Sequence, residues 1–487
     1  MTTAARSRSI LLAAFCALGA CHGPLPPDEE IPRAAPPVPE TPPPTPPEGP
    51  LGLAQAMDFA LKNAPAIRTV RARAEAARIG VDVAGTAYLP RLDLLWQSVR
   101  ATRNNISGQF FPQSVVPPIS GPVSPKSWDH AWGATAGALA SWEPFDFGLR
   151  SSQMELARAV ARQAGSEVEL SRLDAALGAA EAFLVLVAAE EAARAARANV
   201  ERWDVFARSV KALVDQQLRP GVDASRAEAE LALARTQEIQ AAQAVEGGKA
   251  TFAEALGLRT GDLRVDPGPV LTVPALADLP RAGFVSHPLL ARQAAVVQTL
   301  EARKSVVDNS YGPRVNLQLS FSDRGSGFGP SGQVLDPEDG LWPDRYNWVA
   351  GVTLTLPLMD YFGLEARGRQ EEALARSERS RTDEILLALS AQERRVRSYF
   401  DAARKIAENT PVQLKAAREA QARSRSRYDS GLGTLTEVAE TQRLLAQAEI
   451  DDALAHLGIW RALTAASRVQ GDLQPLLEIV ARTKKEK

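Results

Sequence analysis

Residues 149–218 read LRSSQMELARAVARQAGSEVELSRLDAALGAAEAFLVLVAAEEAARAARANVERWDVFARSVKALVDQQL, a run of 70 residues without a proline. An α-helix rises about 1.5 Å per residue, so this run predicts a single helix about 105 Å long. Apolar residues recur along it at alternating spacings of three and four: Leu170, Leu173, Leu177, Ala180, Leu184 and Val187. This heptad pattern is typical of a helix that packs along its length against another helix.

A second long run, residues 364–430, predicts a helix of similar length with a local kink at Pro411. Shorter helical stretches are predicted to run back along the two long helices: 222–256 and 283–310 along the first, and 434–469 with 51–87 along the second. Two shorter helices stacked end to end can match one helix of about 100 Å. A chain with such long helices departs from the usual proportions of a compact globule, and we expect the helices to form the wall of a tube.

Four stretches between the helices alternate apolar and polar residues, which is typical of β-strands. The alternation is clear in 315–322 and 348–356 and weaker in 92–96 and 132–138. Strands of about ten residues can cross a bilayer when tilted. The alternative is a soluble sheet with one wet face. Four strands cannot close a barrel or pair their own edges in lipid, so a membrane role requires several chains, and three chains would supply twelve strands.

An internal repeat organises the chain. Asn63-Ala64-Pro65 is matched by Ser286-His287-Pro288, and Tyr88-Leu89-Pro90 by Tyr311-Gly312-Pro313, both at an offset of 223. Phe145-Asp146-Phe147-Gly148 is matched by Asp360-Tyr361-Phe362-Gly363, whose glycines differ by 215. Matched landmarks in one order predict two repeats, 51–282 and 283–472, followed by a tail at 473–487. Each repeat would contain a helix, two strands and a long helical hairpin.

The amino terminus predicts export. Arg6 and Arg8 precede the apolar stretch Ile10 to Leu18, which is too short to span a bilayer, so we interpret residues 1–20 as a signal peptide. Leu18-Gly19-Ala20-Cys21 resembles the lipobox of bacterial lipoproteins, which implies a covalent lipid on Cys21. His22 follows the cysteine, which fits passage to the outer membrane. The alternative is an ordinary cleaved signal with an accidental Cys21.

Residues 21–50 predict an extended tether, because a proline-rich run such as Pro42-Pro43-Pro44 forms neither helix nor sheet. Recognition as a proline-rich ligand is the alternative. Cys16 leaves with the signal, so we expect no disulfide, and the four histidines lack metal-ligand spacing. With 56 basic and 58 acidic residues, the charge balance gives no reason to expect nucleic acid. We expect no cofactor beyond the lipid.

With these features in place, the sequence resembles the TolC-like outer-membrane efflux channel family from about residue 51 to residue 469. The resemblance rests on the duplicated plan and on motifs at its strand and helix ends: Tyr88-Leu89-Pro90, Phe145-Asp146-Phe147-Gly148, Arg427-Tyr428-Asp429-Ser430-Gly431 and Leu435-Thr436-Glu437-Val438. The family usually has Asp at the position of Glu437. Together with the lipobox and tether, these motifs look like the acylated branch of the family.

The resemblance implies a mainly α fold with a small membrane β part. A homotrimer would form a twelve-stranded β-barrel in the outer membrane, continued by a long α-helical barrel in the periplasm, and each protomer would be internally duplicated. A periplasmic adaptor and an inner-membrane pump, such as an RND transporter, would dock at the helical tips. The chain would be a passive exit duct and not an enzyme.

The resemblance also implies functional residues at the two helical turns. Residues matching the periplasmic gate are Glu437, Glu440, Asp223 and Tyr428, and the turn residues expected to contact the adaptor are Gly221, Gly431, Leu432 and Gly433. Rings of carboxylates would attract cations to the constriction. The alternative for Glu437 is a solvated first helical turn, where the helix dipole favours acids. A partner Arg that some members carry would fall at Gly433, so that specific tether between chains is in doubt.

Two other classes of protein compete with the duct. A lipid-anchored periplasmic adaptor also contains helical hairpins, but it lacks duplicated pairs of membrane-length strands between helices. An envelope enzyme would need a nucleophile with its base, a phosphate loop or a metal cluster, and the sequence contains no such motif.

Overall fold

The structure is a computed structural model that describes residues 44–46, 49–102, 128–259, 263–274, 279, 283–329, 333–336 and 338–485. The chain divides into Met1–Pro43 and Pro44–Lys487, and the described residues all belong to the second unit. The predicted signal, Cys21, most of the tether and most of the first loop between strands lie outside the described residues. Among the helices of the described ranges, none combines the length and apolarity needed to cross a membrane.

Two runs of elements follow each other in a similar order, and the first has one additional α-helix before its strands. The first contains α1 (Leu53–Asn63), α2 (Pro65–Thr86), β1 (Arg91–Thr102), β2 (His130–Phe145), α3 (Leu149–Asp215) and α4 (Gly221–Leu256). The second contains α5 (Pro288–Asn309), β3 (Arg314–Ser326), β4 (Arg345–Thr355), α6 (Tyr361–Asp429) and α7 (Leu435–Gln470). Short 3-10 helices lie at Gly268–Leu271, Phe284–Ser286 and Leu358–Asp360, and α8 (Gln474–Lys485) ends the described chain.

Both predicted long helices form. α3 has 67 residues and α6 has 69, so each is about 100 Å long. α3 ends three residues earlier than predicted because Gln217 adopts a positive φ of 60° and the Leu218 N–H donates to the Leu213 carbonyl, which closes the helix. α6 continues through Pro411, so this proline does not end the helix. The predicted kink at Pro411 stays a prediction.

The shorter helices pack along the long ones, but one of them packs on a different long helix from the one predicted. α4 and α5 both pack on α3, and α7 packs on α6, as predicted. α2 also packs on α3, whereas the sequence analysis paired it with the second long helix. α5 contacts both α3 and α6. Which helices pack against each other is therefore set by side-chain packing and not by helix length alone.

The largest core lies where α1, α3, α4, α6, α7 and α8 meet. Phe183 and Phe252 pack edge to face with ring centroids 5.9 Å apart, and the buried Trp460 donates from Nε1 to the Thr272 carbonyl at 3.1 Å. Leu476 and Val480 of α8 are also buried in this cluster. Residues 473–487, predicted only as a tail, thus contain a helix that closes the core.

The four strands form one antiparallel sheet in the order β1-β2-β3-β4. Its register aligns Leu94, Ala138, Phe321 and Trp348 on one face and Leu95, Gly137, Ser322 and Asn347 on the other. This pairing confirms the predicted alternation. The first face is apolar yet exposed, with 81% of Leu94, 58% of Phe321 and 71% of Trp348 accessible.

Two adjacent glycines of α4 give a test of the hairpin packing. A Cβ on Gly248 would lie 3.3 Å from Leu186 Cδ1 on α3, whereas a Cβ on Gly247 would have no neighbour within 4 Å. We expect Gly247→Ala to raise stability by about 1 kcal/mol through helix propensity. Gly248→Val should instead lower it by about 1–3 kcal/mol through overpacking. Thermal unfolding followed by circular dichroism measures both, and equal effects would contradict the close α3–α4 contact.

Candidate functional site at the helical turns

The two helical hairpins end in tight turns. Residues 216–220 join α3 to α4, and residues 430–434 join α6 to α7. Gly431 adopts a φ of +77°, which a side chain would disfavour, and a Cβ on Gly433 would lie 3.0 Å from the Tyr428 nitrogen. The N–H groups of Leu432 and Gly433 both donate to the Arg427 carbonyl, at 2.8 and 3.0 Å. The glycines therefore allow the second turn to be this tight.

Tyr428 links the two turns. Its ring is buried beside Phe206 of α3, with centroids 5.3 Å apart. Its hydroxyl donates to Asp223 Oδ2 of α4 at 3.2 Å. The structure thus brings together two of the four predicted gate residues, one from each hairpin.

Arg219 also contacts Tyr428. The Arg219 guanidinium lies over the phenol ring at 4.3 Å from its centroid, and its Nη2 donates to the Tyr428 carbonyl. No role for Arg219 was predicted from the sequence. The signal that could have found it is that Arg219 lies at the first turn and the aromatic Tyr428 lies at the second.

Burial and the Asp223 carboxylate, which also accepts the hydroxyl hydrogen bond, raise the pKa of Tyr428 from 10.0 to about 12, against the opposing charge of Arg219. The phenol therefore stays protonated over the physiological range of pH. A protonated phenol is the form that donates to Asp223, so the contact persists at neutral pH.

Glu437 and Glu440 lie on the first turns of α7 and are both exposed. The Thr434 hydroxyl accepts from the Glu437 N–H at 3.3 Å and caps α7. The Glu437 carboxylate lies 4.0 Å from Arg427 Nε, and about half of the Glu437 side chain is accessible. The structure does not bring these two carboxylates into the Tyr428–Asp223 cluster, and they remain open to solvent or to another chain.

Further polar contacts join the two hairpins at increasing distance from the turns. Arg226 of α4 donates to Thr436 of α7 at 2.7 Å, and Arg443 of α7 donates to Glu230 of α4 at 2.6 Å. Higher up, Arg202 of α3 makes a two-pronged ion pair with Glu449 of α7, at 2.8 and 3.3 Å. These three pairs were not predicted, because the two partners of each pair are more than 200 residues apart along the chain.

The chain matches one family of known proteins over most of its length. The sequence matches the family model described as outer membrane efflux protein over residues 56–258 and 282–468. Protein CyaE of Bordetella pertussis is 25% identical over 408 residues, which cover 80% of this chain and 78% of that protein.

The fold is similar to solved outer-membrane channels. The Campylobacter jejuni CmeC channel superposes with a TM-score of 0.67 and 15% identity, covering 88% of this chain and 89% of that chain. The open state of the Neisseria gonorrhoeae MtrE channel superposes with a TM-score of 0.66 and 17% identity, covering 86% and 89%. At these identities the likeness shows the fold alone.

The raised pKa of Tyr428 predicts a specific alkaline transition. Because the folded pKa of about 12 exceeds the ordinary 10.0, the stability contributed by Tyr428 is complete below pH 10 and lost as the pH rises through about 12. The measurement is the ultraviolet absorbance titration of the wild type minus that of Tyr428→Phe. A difference curve centred at the ordinary tyrosine pKa would contradict the buried Tyr428–Asp223 contact.

Proposed function

Because the chain belongs to the outer membrane efflux protein family, as its motifs predicted, we propose that three copies form a passive exit duct gated at the helical turns. The chain is a subunit of an efflux duct in the outer membrane. The trimer, the gate residues and the docking partners are the proposed part. The exposed apolar face of the sheet is the observation that carries it.

The sheet supports assembly from several copies. β1 and β4 are its two edge strands, so within the described residues each has one side without a neighbouring strand. Unpaired backbone groups are costly in hydrocarbon, and a closed barrel removes them. Pairing β4 of one copy with β1 of the next would close twelve strands after three copies. The apolar face would then contact lipid and the polar face would line the lumen.

The helices give a second argument for neighbouring copies. α6 leaves large apolar side chains on its surface, including Leu387 at 72% exposure, Val412 at 66% and Ile406 at 53%. These residues are far apart along α6 and point in different directions around it, so they do not form one continuous face. A second copy placed beside α6 would cover part of this surface and continue the wall of the tube.

The contacts at the turns support a gate held within each chain. Tyr428 and Asp223 fasten the second hairpin to the first, and Arg219 adds a stacked cation from the same hairpin as Asp223. Moving α6 and α7 away from α3 and α4 would break these contacts. The proposed resting state is therefore the one in which they are intact.

The exposed carboxylates fit the entrance of the duct. Glu437 and Glu440 are one helical turn apart, so they project from neighbouring positions of α7. Three copies would bring six carboxylates around the axis, and a ring of carboxylates attracts cations. This is the role proposed for the pair, distinct from the hairpin contacts of Tyr428.

The turns offer an apolar surface to a partner. Leu432, Leu218 and Val222 are 74%, 65% and 70% exposed at the two turns. Together with Gly221, Gly431 and Gly433 they form the proposed docking site for a periplasmic adaptor, which would connect the duct to an inner-membrane pump. A lipid on Cys21 would add an anchor in the outer membrane. Transport energy would come from the pump, so no catalytic role is proposed for this chain.

Weakening the hairpin contact should open the duct. A hydrogen bond to a charged group contributes about 1.5–3 kcal/mol, so Tyr428→Phe should shift the closed-to-open ratio by roughly tenfold or more. Single-channel conductance in a planar bilayer measures this shift. Tyr399→Phe makes the same chemical change at an exposed site of α6 and should leave conductance unchanged. No conductance from any variant would contradict the duct itself.

Neutralising the carboxylates should weaken block of the duct by divalent cations. We expect Glu437→Gln with Glu440→Gln to raise the blocking concentration, because the proposed ring loses its charge. Glu228→Gln removes one exposed charge from α4, close to the start of that helix, and serves as the control. Unchanged block in the double variant, or equal loss in the control, would exclude Glu437 and Glu440 as entrance residues.

A further inference from the structure

A cavity of about 430 Å³ lies between α3, α6 and α7, in the size range of pockets that hold small organic molecules. The apolar part of its lining comes from Leu184 of α3, Val396 of α6 and Val469 of α7. Leu184 and Val469 are buried and Val396 is half-buried. These side chains therefore form an apolar floor.

Three arginines line the same cavity, which we call the arginine cavity: Arg395 of α6, and Arg461 and Arg468 of α7. Arg468 is paired, because its Nη1 lies 2.8 Å from Asp174 Oδ1 of α3. Within the described ranges, the guanidinium groups of Arg395 and Arg461 make neither a hydrogen bond nor an ion pair. Their N–H donors are therefore available to a ligand.

Another arginine of α6 shows the contrast. Arg397 Nη1 donates to the Leu279 carbonyl at 3.1 Å, and its Nη2 donates to the Glu393 carboxylate at 3.0 Å. Side chains two residues apart on a helix point about 200° apart, so Arg397 and Arg395 lie on different sides of α6. Arg397 thus finds its partners within the chain, and Arg395, on the cavity side, has none among the described residues.

The arginine cavity carries a net positive charge. Glu181 of α3 is the one carboxylate in its lining, and no ion pair joins Glu181 to an arginine within the part of the chain that the structure describes. Even with Glu181 and the paired Asp174 counted, the three arginines are in excess. A guanidinium binds a carboxylate or a sulfonate through paired, charge-assisted hydrogen bonds. The cavity is therefore complementary to a molecule with an apolar body and an anionic group.

The arginine cavity lies on the face of α7 that also bears the proposed entrance carboxylates. Six residues of α7 belong to one series with alternating spacings of three and four, and none of them is buried: Glu437, Glu440, Asp451, Leu454, Arg461 and Arg468. Such heptad spacing keeps residues on one face of a coiled helix. Another side of α7, with Trp460 and Leu463, is buried in the largest core. Since the proposed duct places Glu437 and Glu440 around its axis, the same face of α7 lines the lumen as far as Arg468.

We propose that the arginine cavity is a binding site in the lumen for amphiphilic organic anions, molecules with an apolar body and a sulfonate or carboxylate group. The guanidinium groups of Arg395 and Arg461 bind the anionic group, and the apolar floor covers the body. The position in the lumen rests on the proposed function, whereas binding to the cavity does not. Arg461 lies about 32 Å from Glu440 along α7, so in the proposed duct a positive zone follows the negative entrance.

Equilibrium dialysis of the full chain in a neutral detergent tests the binding. The probe is 1-naphthalenesulfonate, the uncharged match is 1-naphthalenesulfonamide, and micelles without protein give the background. We expect saturable binding of the sulfonate and affinity about tenfold lower for the sulfonamide, which lacks the charge. Inorganic sulfate, which lacks the apolar body, should compete only weakly.

Three substitutions locate the bound anion. Arg461→Gln removes one guanidinium and should raise the dissociation constant about tenfold, the loss expected for a hydrogen bond between charged groups. Glu181→Gln removes the opposing carboxylate and should lower the dissociation constant several-fold. Arg418→Gln is the control and should change nothing, because Arg418 is exposed on α6 but lines a different cavity together with Leu271. Thermal unfolding followed by circular dichroism checks that each variant is folded.

Four results would overturn the site. Equal affinity for the sulfonate and the sulfonamide would show that the cavity does not recognise the charge. Sulfate that competes as well as unlabelled sulfonate would show that the apolar floor takes no part. An unchanged dissociation constant in folded Arg461→Gln, or an equal rise in Arg418→Gln, would show that the anion binds elsewhere.

Single-channel current in a planar bilayer separates the site from the duct. We expect 1-naphthalenesulfonate to reduce the current, and Arg461→Gln to require about tenfold more of it for the same reduction. Binding without any reduction of the current would overturn the position in the lumen. A normal current with no binding would overturn the site and leave the duct standing. Binding with no current from any variant would contradict the duct and leave the site standing.

Discussion

The backbone groups of the two edge strands are the constraint on which the proposed assembly depends. One chain supplies four hydrogen-bonded strands with an apolar face that remains exposed, and β1 and β4 each end the sheet. In water such edges can be solvated, but in hydrocarbon they must be paired. In the proposed assembly, copies of the chain would pair these edges with one another. The long helices that follow each pair of strands would then adopt the same circular arrangement.

At the end of the helices away from the sheet, both apolar burial and polar contacts join the two hairpins. Tyr428 is almost fully buried at the junction of the two hairpins, where its ring packs on Phe206 and its hydroxyl reaches Asp223. Arg219 stacks on the same ring from the first turn. Because one side chain provides both an apolar and a polar contact across the junction, small displacements of a hairpin are opposed and larger ones break several contacts together. This is a suitable arrangement for a proposed gate with two states.

The junction between the sheet and α3 contains a residue with a strained backbone. There the chain keeps Phe147 in a strained conformation with its ring outside, and it fixes the turn with Asp146, Arg150 and the space left by Gly312. The repeated motif that includes Phe147 is therefore more than a marker of family membership. The Asp146 carboxylate accepts N–H groups at the start of α3, Gly148 permits the turn, and the Phe147 ring between them is exposed.

The sequence by itself determined the elements, because their signals are local. Long helical runs predicted α3 and α6, alternation predicted the strands and their apolar positions, and matched motifs predicted the family. The motif at Arg427-Tyr428 also placed Tyr428 near a turn, and the resemblance named both Tyr428 and Asp223 as gate residues without predicting their contact. What only the tertiary structure decided were contacts between residues far apart in the chain: α2 on α3, α8 in the core, Arg219 on Tyr428 and Arg202 with Glu449. The physical reason is that local patterns set backbone conformation, whereas these partners are chosen by packing and charge once the helices lie side by side.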